Sequence, residues 1–317
     1  MSVETMLYDK EYIREFSKKR NEPNWFLELR LRGLALSEQL PMPKPEKTNI
    51  ANWNFTSFKH HVPAEPLRSI DELPKAVGAL IGKDGKHGNI VVERNASVAY
   101  RRLSEDLQKK GIIFTDLLTA VQEHGDLVKR YFMTDAVHID EHRLTALHAA
   151  LVNGGTFLYV PKNVEVEVPL QSVYWQEDPE AALFNHVLVV AEANSSVTYV
   201  ENYLSTGKGK TSAVNIVAEV FAGENAKVQF GAVDNLGADV TSYVNRRGRV
   251  ARNGRIEWAL GQMNDGNTIS DNTTECIGDG SSADTKMVTI GRGEQKQNFL
   301  IRINQFGKHS DGQILAH

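Results

Sequence analysis

The sequence contains a single cysteine, Cys276, among 317 residues. One thiol excludes an intrachain disulfide framework and any all-cysteine metal site built by one chain. It fits a reducing compartment. Long apolar runs are lacking as well, and none approaches the roughly 20 residues that span a bilayer. The first turns of sequence, from Met1 to Arg20, are charged throughout and lack the apolar core of a signal peptide, so the expected location is cytoplasmic. Nor is positive charge in excess. Lys and Arg number 36 against 40 Asp and Glu, a net charge of −4. General nucleic-acid binding needs clustered cations to displace counterions, and this balance argues against it. With 41% hydrophobic and 24% charged residues the chain reads as soluble and folded. Its length suits two ordinary domains, or one domain and a long solenoid.

The first half reads mainly as helix. Residues 8–40 carry Leu27, Leu31 and Leu34 at helical spacing, and Pro41, Pro43 and Pro45 end the segment because proline lacks the N–H and blocks the preceding turn. Asn52, Trp53, Asn54 and Phe55 form an aromatic patch that reads as an anchor onto the core. Residues 90–100 alternate like a strand pair. Residues 104–131 read as helix, with Leu117, Leu118, Val121 and Val128 on the buried face. A further helix is expected from about Asp140 to Val152, with Gly154 and Gly155 where a left-handed cap is wanted. Helical periodicity then stops and short alternating strands begin. The expected division is therefore residues 1–154, mainly helical with a short β segment near 89–100, and residues 155–317, a β core.

The second half repeats. Asn163, Asn194 and Asn225 are 31 residues apart, Asn253 follows after 28 and Gly280 after 27. Five residues before the asparagines stand Leu158, Val189 and Val220, and three before stand Val160, Ala191 and Ala222. Three residues after stand Val166, Val197, Val228 and Ile256, and five after stand Val168, Tyr199, Phe230 and Trp258. Asn95 fits the same frame. Residues two apart share one face of a strand. Asparagine tolerates the left-handed turn conformation. A fixed period means that like residues stack into apolar ladders, which is the signature of a β-helix. A sandwich does not require the same columns at constant spacing. The columns weaken at Ala283 and Thr285, and the chain stops at Ile314 to His317 without a recognisable cap.

Few residues suggest chemistry. Gly207 to Thr211 ends like a phosphate loop, but Leu204 stands where the first glycine belongs and no helix follows, so it reads as a solvated turn. Gly278 to Ala283 echoes a dinucleotide fingerprint and fails for the same want of a helix. His138 and His142 have a chelating spacing, yet with His148 they read better as surface histidines. Arg246, Arg247, Arg249, Arg252 and Arg255 read as a solvated outer face or a docking face for an acidic protein. Cys276 reads as a small buried residue, and as a cluster ligand it would need another chain. His309 and His317 have no assignable role.

The segment from Gly155 to Gln171 (GTFLYVPKNVEVEVPLQ) closely resembles the opening of the core of the SufB/SufD family of iron–sulfur cluster assembly proteins. The segment from His186 to Glu201 (HVLVVAEANSSVTYVE) is similar to that family's next coil, and residues 52–58 to its N-terminal region. The long helical N-terminal region is more similar to the SufD branch than to the SufB branch. The resemblance implies an α+β chain, an α-helical N-terminal region followed by a β-helix core, with the end of the solenoid and its helical cap missing. It implies a non-catalytic scaffold subunit of a SufBCD-type complex, paired with a SufB-like paralogue and a SufC-type ABC ATPase, and in isolation a homodimer. It implies no cofactor bound by this chain alone, an iron–sulfur cluster at the interface with the SufB-like partner, and neither nucleic acid nor membrane as partner. Family members continue past this point, and the family histidine at the cluster site lies in that stretch. No catalytic, cofactor-binding or metal residue is therefore assigned. The rival readings are a β-helix enzyme, of polysaccharide lyase or hexapeptide-repeat acyltransferase type, and a purely structural solenoid. A 31-residue period and the lack of a secretion signal disfavour both enzymes.

Overall fold

Asn21, at φ +50°, and Pro23 split the expected first helix in two. The computed structural model describes residues 8–85 and 88–317. Helix α1 spans Lys10–Lys19, with the Asp9 side chain accepting from the Tyr12 N–H as its cap. Helix α2 spans Asn24–Gln39 and ends two residues before Pro41, with Leu40 as its cap. Helix α3 (Lys75–Gly85) precedes a hairpin of β1 (Asn89–Arg94) and β2 (Ser97–Arg102). The stretch 104–131 is not continuous helix. It contains α4 (Glu105–Lys109), strand β3 (Ile113–Asp116), α5 (Leu117–Glu123) and α6 (Gly125–Tyr131). Gly111, at φ +79°, reverses the chain after α4, and Asp116 caps α5 by accepting from Thr119 N–H, so the residues between are extended. Helix α7 spans Arg143–Leu151.

Twelve strands follow. They are β4 (Gly154–Val160), β5 (Leu170–Gln176), β6 (Leu183–Ala191), β7 (Ser196–Ser205), β8 (Ser212–Ala222), β9 (Lys227–Asn235), β10 (Val240–Val250), β11 (Arg255–Gln262), β12 (Thr268–Cys276), β13 (Ser282–Thr289), β14 (Gln297–Gln305) and β15 (Asp311–Ala316). They alternate between two sheets, ordered β15-β13-β11-β9-β7-β5-β1-β2 and β14-β12-β10-β8-β6-β4-β3. Two strands make one coil, giving about six parallel coils, a β-solenoid behind a helical region. Strand β1 joins β5 in parallel, while β2 pairs antiparallel with β1 and β3 antiparallel with β4 at the first end of the stack. Asn95 thus turns a hairpin with Ala96, at φ +50° and +62°, rather than a coil corner.

The expected ladders run through the interior. Val166, Val197, Val228 and Ile256 are all buried in one core cluster, as are Leu158, Val189 and Val220. Tyr199, Phe230 and Trp258 stack with ring centroids 5.1 and 4.9 Å apart. Each such buried side chain contributes about 1.5–3 kcal/mol. Val168 departs from its expected column. It is 49% exposed, and Leu170 lies over Tyr199 instead. Glu165 bridges Ser196 and Leu170 pairs Tyr199, so the first coil loops out two extra residues there. The following loop is two residues shorter than its neighbour, which keeps the period unchanged. At the corners, Asn163, Asn194, Asn225, Asn253, Gly280 and His309 all have φ between +54° and +68°. Asn194 donates to the Asn163 carbonyl oxygen and Asn225 to that of Asn194, each at 2.9 Å.

The outer face of the second sheet carries the helices. Phe26, Val128 and Phe132 pack there against Phe157, Leu188, Val190 and Val217. Among the described residues no helix is long and apolar enough to cross a membrane.

Candidate functional site

The polar chemistry of the chain is buried, in the lumen of the coils and in the seam beneath the helices. In β7 the inward residues are Val197, Tyr199, Glu201 and Tyr203, so the face that supplies the ladder also turns a carboxylate inward. Asp234 of β9 and Arg246 of β10 point into the same space. Arg246 pairs in register with Ala218, and that small neighbour leaves room for a long side chain. The guanidinium donates to Asp234 through Nη1 at 2.9 Å and Nη2 at 2.7 Å, and to Glu201 Oε1 through Nη2 at 3.0 Å. Gln262 Nε2 donates to Asp234 Oδ2 at 2.6 Å, and Tyr199 to Glu201 Oε2 at 3.3 Å.

Burial opposes every charge in this cluster. It pushes the Glu201 carboxyl up to about 7, against the pull of Arg246 and with the push of Asp234. Arg246 is held above its ordinary value despite its burial, because both carboxylates face it. Burial likewise raises the Tyr199 and Tyr203 hydroxyls. The cluster is a closed set inside the stack, one guanidinium shared between two carboxyl groups. Arg246 therefore does not belong to an outer basic face, contrary to the reading from its spacing. The other arginines of that run are each paired: Arg247 with Glu141 and Asp271, Arg249 with Glu275, Arg252 with Glu224, Arg255 with Glu257.

The seam holds the histidines. His148 is fully buried on α7, so the surface reading fails for it. Its Nδ1 lies 2.9 Å from Asn215 Oδ1 and its Nε2 lies 3.0 Å from His186 Nδ1. His186 Nε2 is 3.0 Å from Glu219 Oε1, a short contact that is not a formed hydrogen bond. Glu219 accepts the Met133 N–H at 2.7 Å and the Val137 N–H at 3.0 Å. Phe132 stacks on His186, with centroids 3.9 Å apart. His142 is the N-cap of α7 and lies 3.2 Å from the Tyr243 hydroxyl, while His138 is exposed ahead of the helix. His138 and His142 thus share no helical face. Among the described residues no group of three His, Cys, Asp or Glu is placed to hold a metal ion.

Cys276 completes a ladder below Val250, Ala222, Ala191 and Val160 and is fully buried, and burial pushes its thiol up. Gly207 to Thr211 joins β7 to β8 as a loop, and Gly278 to Ser281 turns into β13. Sequence reasoning passed over Glu201, Asp234, His186 and Glu219. For Glu201 a signal existed: it stands two residues past Tyr199, on the ladder face.

Residues 174–317 match the family described as "SUF system FeS cluster assembly, SufBD core domain", and residues 89–172 match "SufBD protein N-terminal region". The chain is 58% identical over 311 residues to the iron–sulfur cluster assembly protein SufD of Bacillus subtilis, an alignment covering 98% of this chain and 71% of that protein. It is 30% identical over 292 residues to an iron–sulfur cluster assembly SufBD family protein of Staphylococcus aureus, covering 89% of this chain and 62% of the relative.

Proposed function

The chain belongs to the SufBD family of iron–sulfur cluster assembly proteins, and on that premise we propose that it acts as a non-catalytic scaffold subunit of a SufBCD-type complex. In this reading it pairs with a SufB-like paralogue and engages a SufC-type ABC ATPase, in the cytoplasm. The cluster is cargo held at the interface with the SufB-like chain rather than a resident group of this one. ATP hydrolysis belongs to the ATPase partner.

One observation carries the reading. The two family matches run almost unbroken from residue 89 to residue 317, the part of the chain that forms the first strands and the stacked coils. A stack of this kind offers a rigid rod whose inner polar groups are paired with one another, which suits a framework on which partners assemble. The test is co-expression with a SufB-type and a SufC-type protein, followed by size-exclusion chromatography. Co-elution of all three supports the scaffold. A chain that elutes alone while the other two bind each other overturns it.

A further inference from the structure

The hydrogen-bond directions in the seam between helices and coils count protons. Asn215 Nδ2 donates to Leu144 O at 3.0 Å, which turns Asn215 Oδ1 toward His148 Nδ1. His148 Nδ1 must then carry the hydrogen, and in a neutral ring its Nε2 is bare. That nitrogen accepts only if His186 Nδ1 carries a hydrogen, at 3.0 Å. In a neutral His186 the Nε2 is bare in turn, and it faces Glu219 Oε1 at 3.0 Å. Two bare acceptors at that distance repel, so a proton resides on one of them. The His186 ring is fully buried and stacked on Phe132, and no N–H···O hydrogen bond is formed between Nε2 and the carboxyl. An ion pair there would desolvate two charges without the geometry that offsets the cost. The neutral arrangement, with the proton on Glu219, leaves no charge buried between the two groups.

We propose that Glu219 is a carboxylic acid when the seam is closed, and that this proton locks α7 and residues 131–139 onto the outer face of the coils. The lock joins four pieces of chain. Glu219 and Asn215 come from β8, His186 from β6, His148 from α7, and the Met133 and Val137 N–H groups from the segment between α6 and α7. The charged groups that face it are His138 and Arg247 beside Glu219 and Arg30 beside His148. His138 and Arg247 favour the carboxylate. Burial outweighs them and the two backbone N–H bonds, and pushes the Glu219 carboxyl up to about 8.

The direction of the effect follows from proton counting. Opening the seam exposes Glu219 to water, where it ionises near the ordinary carboxylate value. Below about 6.5 the buried histidines oppose it, because they take up protons on exposure. Between about 6.5 and 8 only the glutamate acts in this seam. The open state there has lost a proton that the closed state keeps, so opening becomes about tenfold easier per pH unit and about 30-fold easier over that span. Above about 8 the closed state has ionised too, and the dependence levels off.

Amide hydrogen exchange of residues 131–151, corrected for the intrinsic rate and followed from pH 6.5 to 9, tests this on the whole chain beside Glu219→Gln. The amide cannot ionise. It also cannot accept the Met133 N–H on nitrogen, so the variant loses a fixed amount of protection, but its pH slope is shallower than the native slope by one proton. Equal slopes in the two proteins overturn the proposal. Nitrogen-15 spectra of the native histidines at pH 6.5 provide a second reading that needs no variant. Bare Nε2 atoms on both His148 and His186 support the lock, and a doubly protonated His186 overturns it.

Discussion

Arg246 grips Asp234 with two parallel hydrogen bonds of 2.9 and 2.7 Å inside the coil stack, while Glu201 closes on the same guanidinium from the neighbouring coil. This is an interaction that is costly to break from one side. Arg246→Ala leaves two buried carboxylates facing each other and is expected to lose about 3–5 kcal/mol in urea melts. A loss below about 1 kcal/mol would mean that the cluster is hydrated and not enclosed by the coils.

Val168 and Leu170 exchange the roles that simple spacing gives them. Leu170→Ala removes a fully buried rung over Tyr199 and is expected to cost about 2–5 kcal/mol. Val168→Ala removes a half-exposed side chain and is expected to change stability by no more than about 0.5 kcal/mol. Comparing the two denaturation midpoints checks the register of the first coil.

The corner at Asn225 has φ +55°. Asparagine and glycine accept this conformation, while other residues pay about 1–2 kcal/mol for it. Asn225→Ala is expected to lose that amount, and Asn225→Gly much less, since it gives up only an exposed bond to Asn194. Equal losses would show that the side-chain ladder, not the backbone, holds the corner.

Acid should weaken the fold through its buried imidazoles. Burial holds His60 down to about 3, His142 to about 4 and His186 to about 3. The unfolded chain binds these protons near 6.5, so the histidines' contribution to stability is fully present above that pH and falls as pH drops toward the folded values. His60, held between the Tyr12 hydroxyl at 2.6 Å and Leu151 O at 2.6 Å, is the clearest case. Glu201 and Glu219, which keep their protons in the fold, act in the opposite sense over this range, so the measure is a difference: from pH 6.5 to 5 the native urea midpoint should fall relative to that of His60→Gln, and parallel profiles would contradict the assignment.

The coil stack was readable because apolar residues at Val197, Val228 and Ile256 recur on the same face beside asparagines that must turn. Its exceptions were not. The two residues looped out near Val168 are cancelled by a short loop further on, so the spacing of 31 conceals them. Strand β3 is four residues long and lies among helical signals, and only its pairing with β4 makes it a strand. Arg246 and Glu201 occupy inward positions as charged residues, and periodicity alone treats inward charge as outward. His148 gives no local sign of burial, because what buries it is the sheet carrying His186 and Asn215, 38 and 67 residues away.

The parallel stacking of one coil on the next can be tested most directly by cross-linking. Thr198 and Gln229 are register partners on adjacent coils, Thr198 half-buried and Gln229 exposed, with Thr198 Oγ1 and Gln229 Oε1 3.0 Å apart. Glu257 lies one coil further, roughly 9–10 Å from Thr198 at the usual strand spacing and beyond the reach of a disulfide. With Cys276→Ala as background, Thr198→Cys with Gln229→Cys should oxidise to an intramolecular disulfide under mild conditions, and Thr198→Cys with Glu257→Cys should not. Cross-linking of the second pair, or of neither, would contradict the stack.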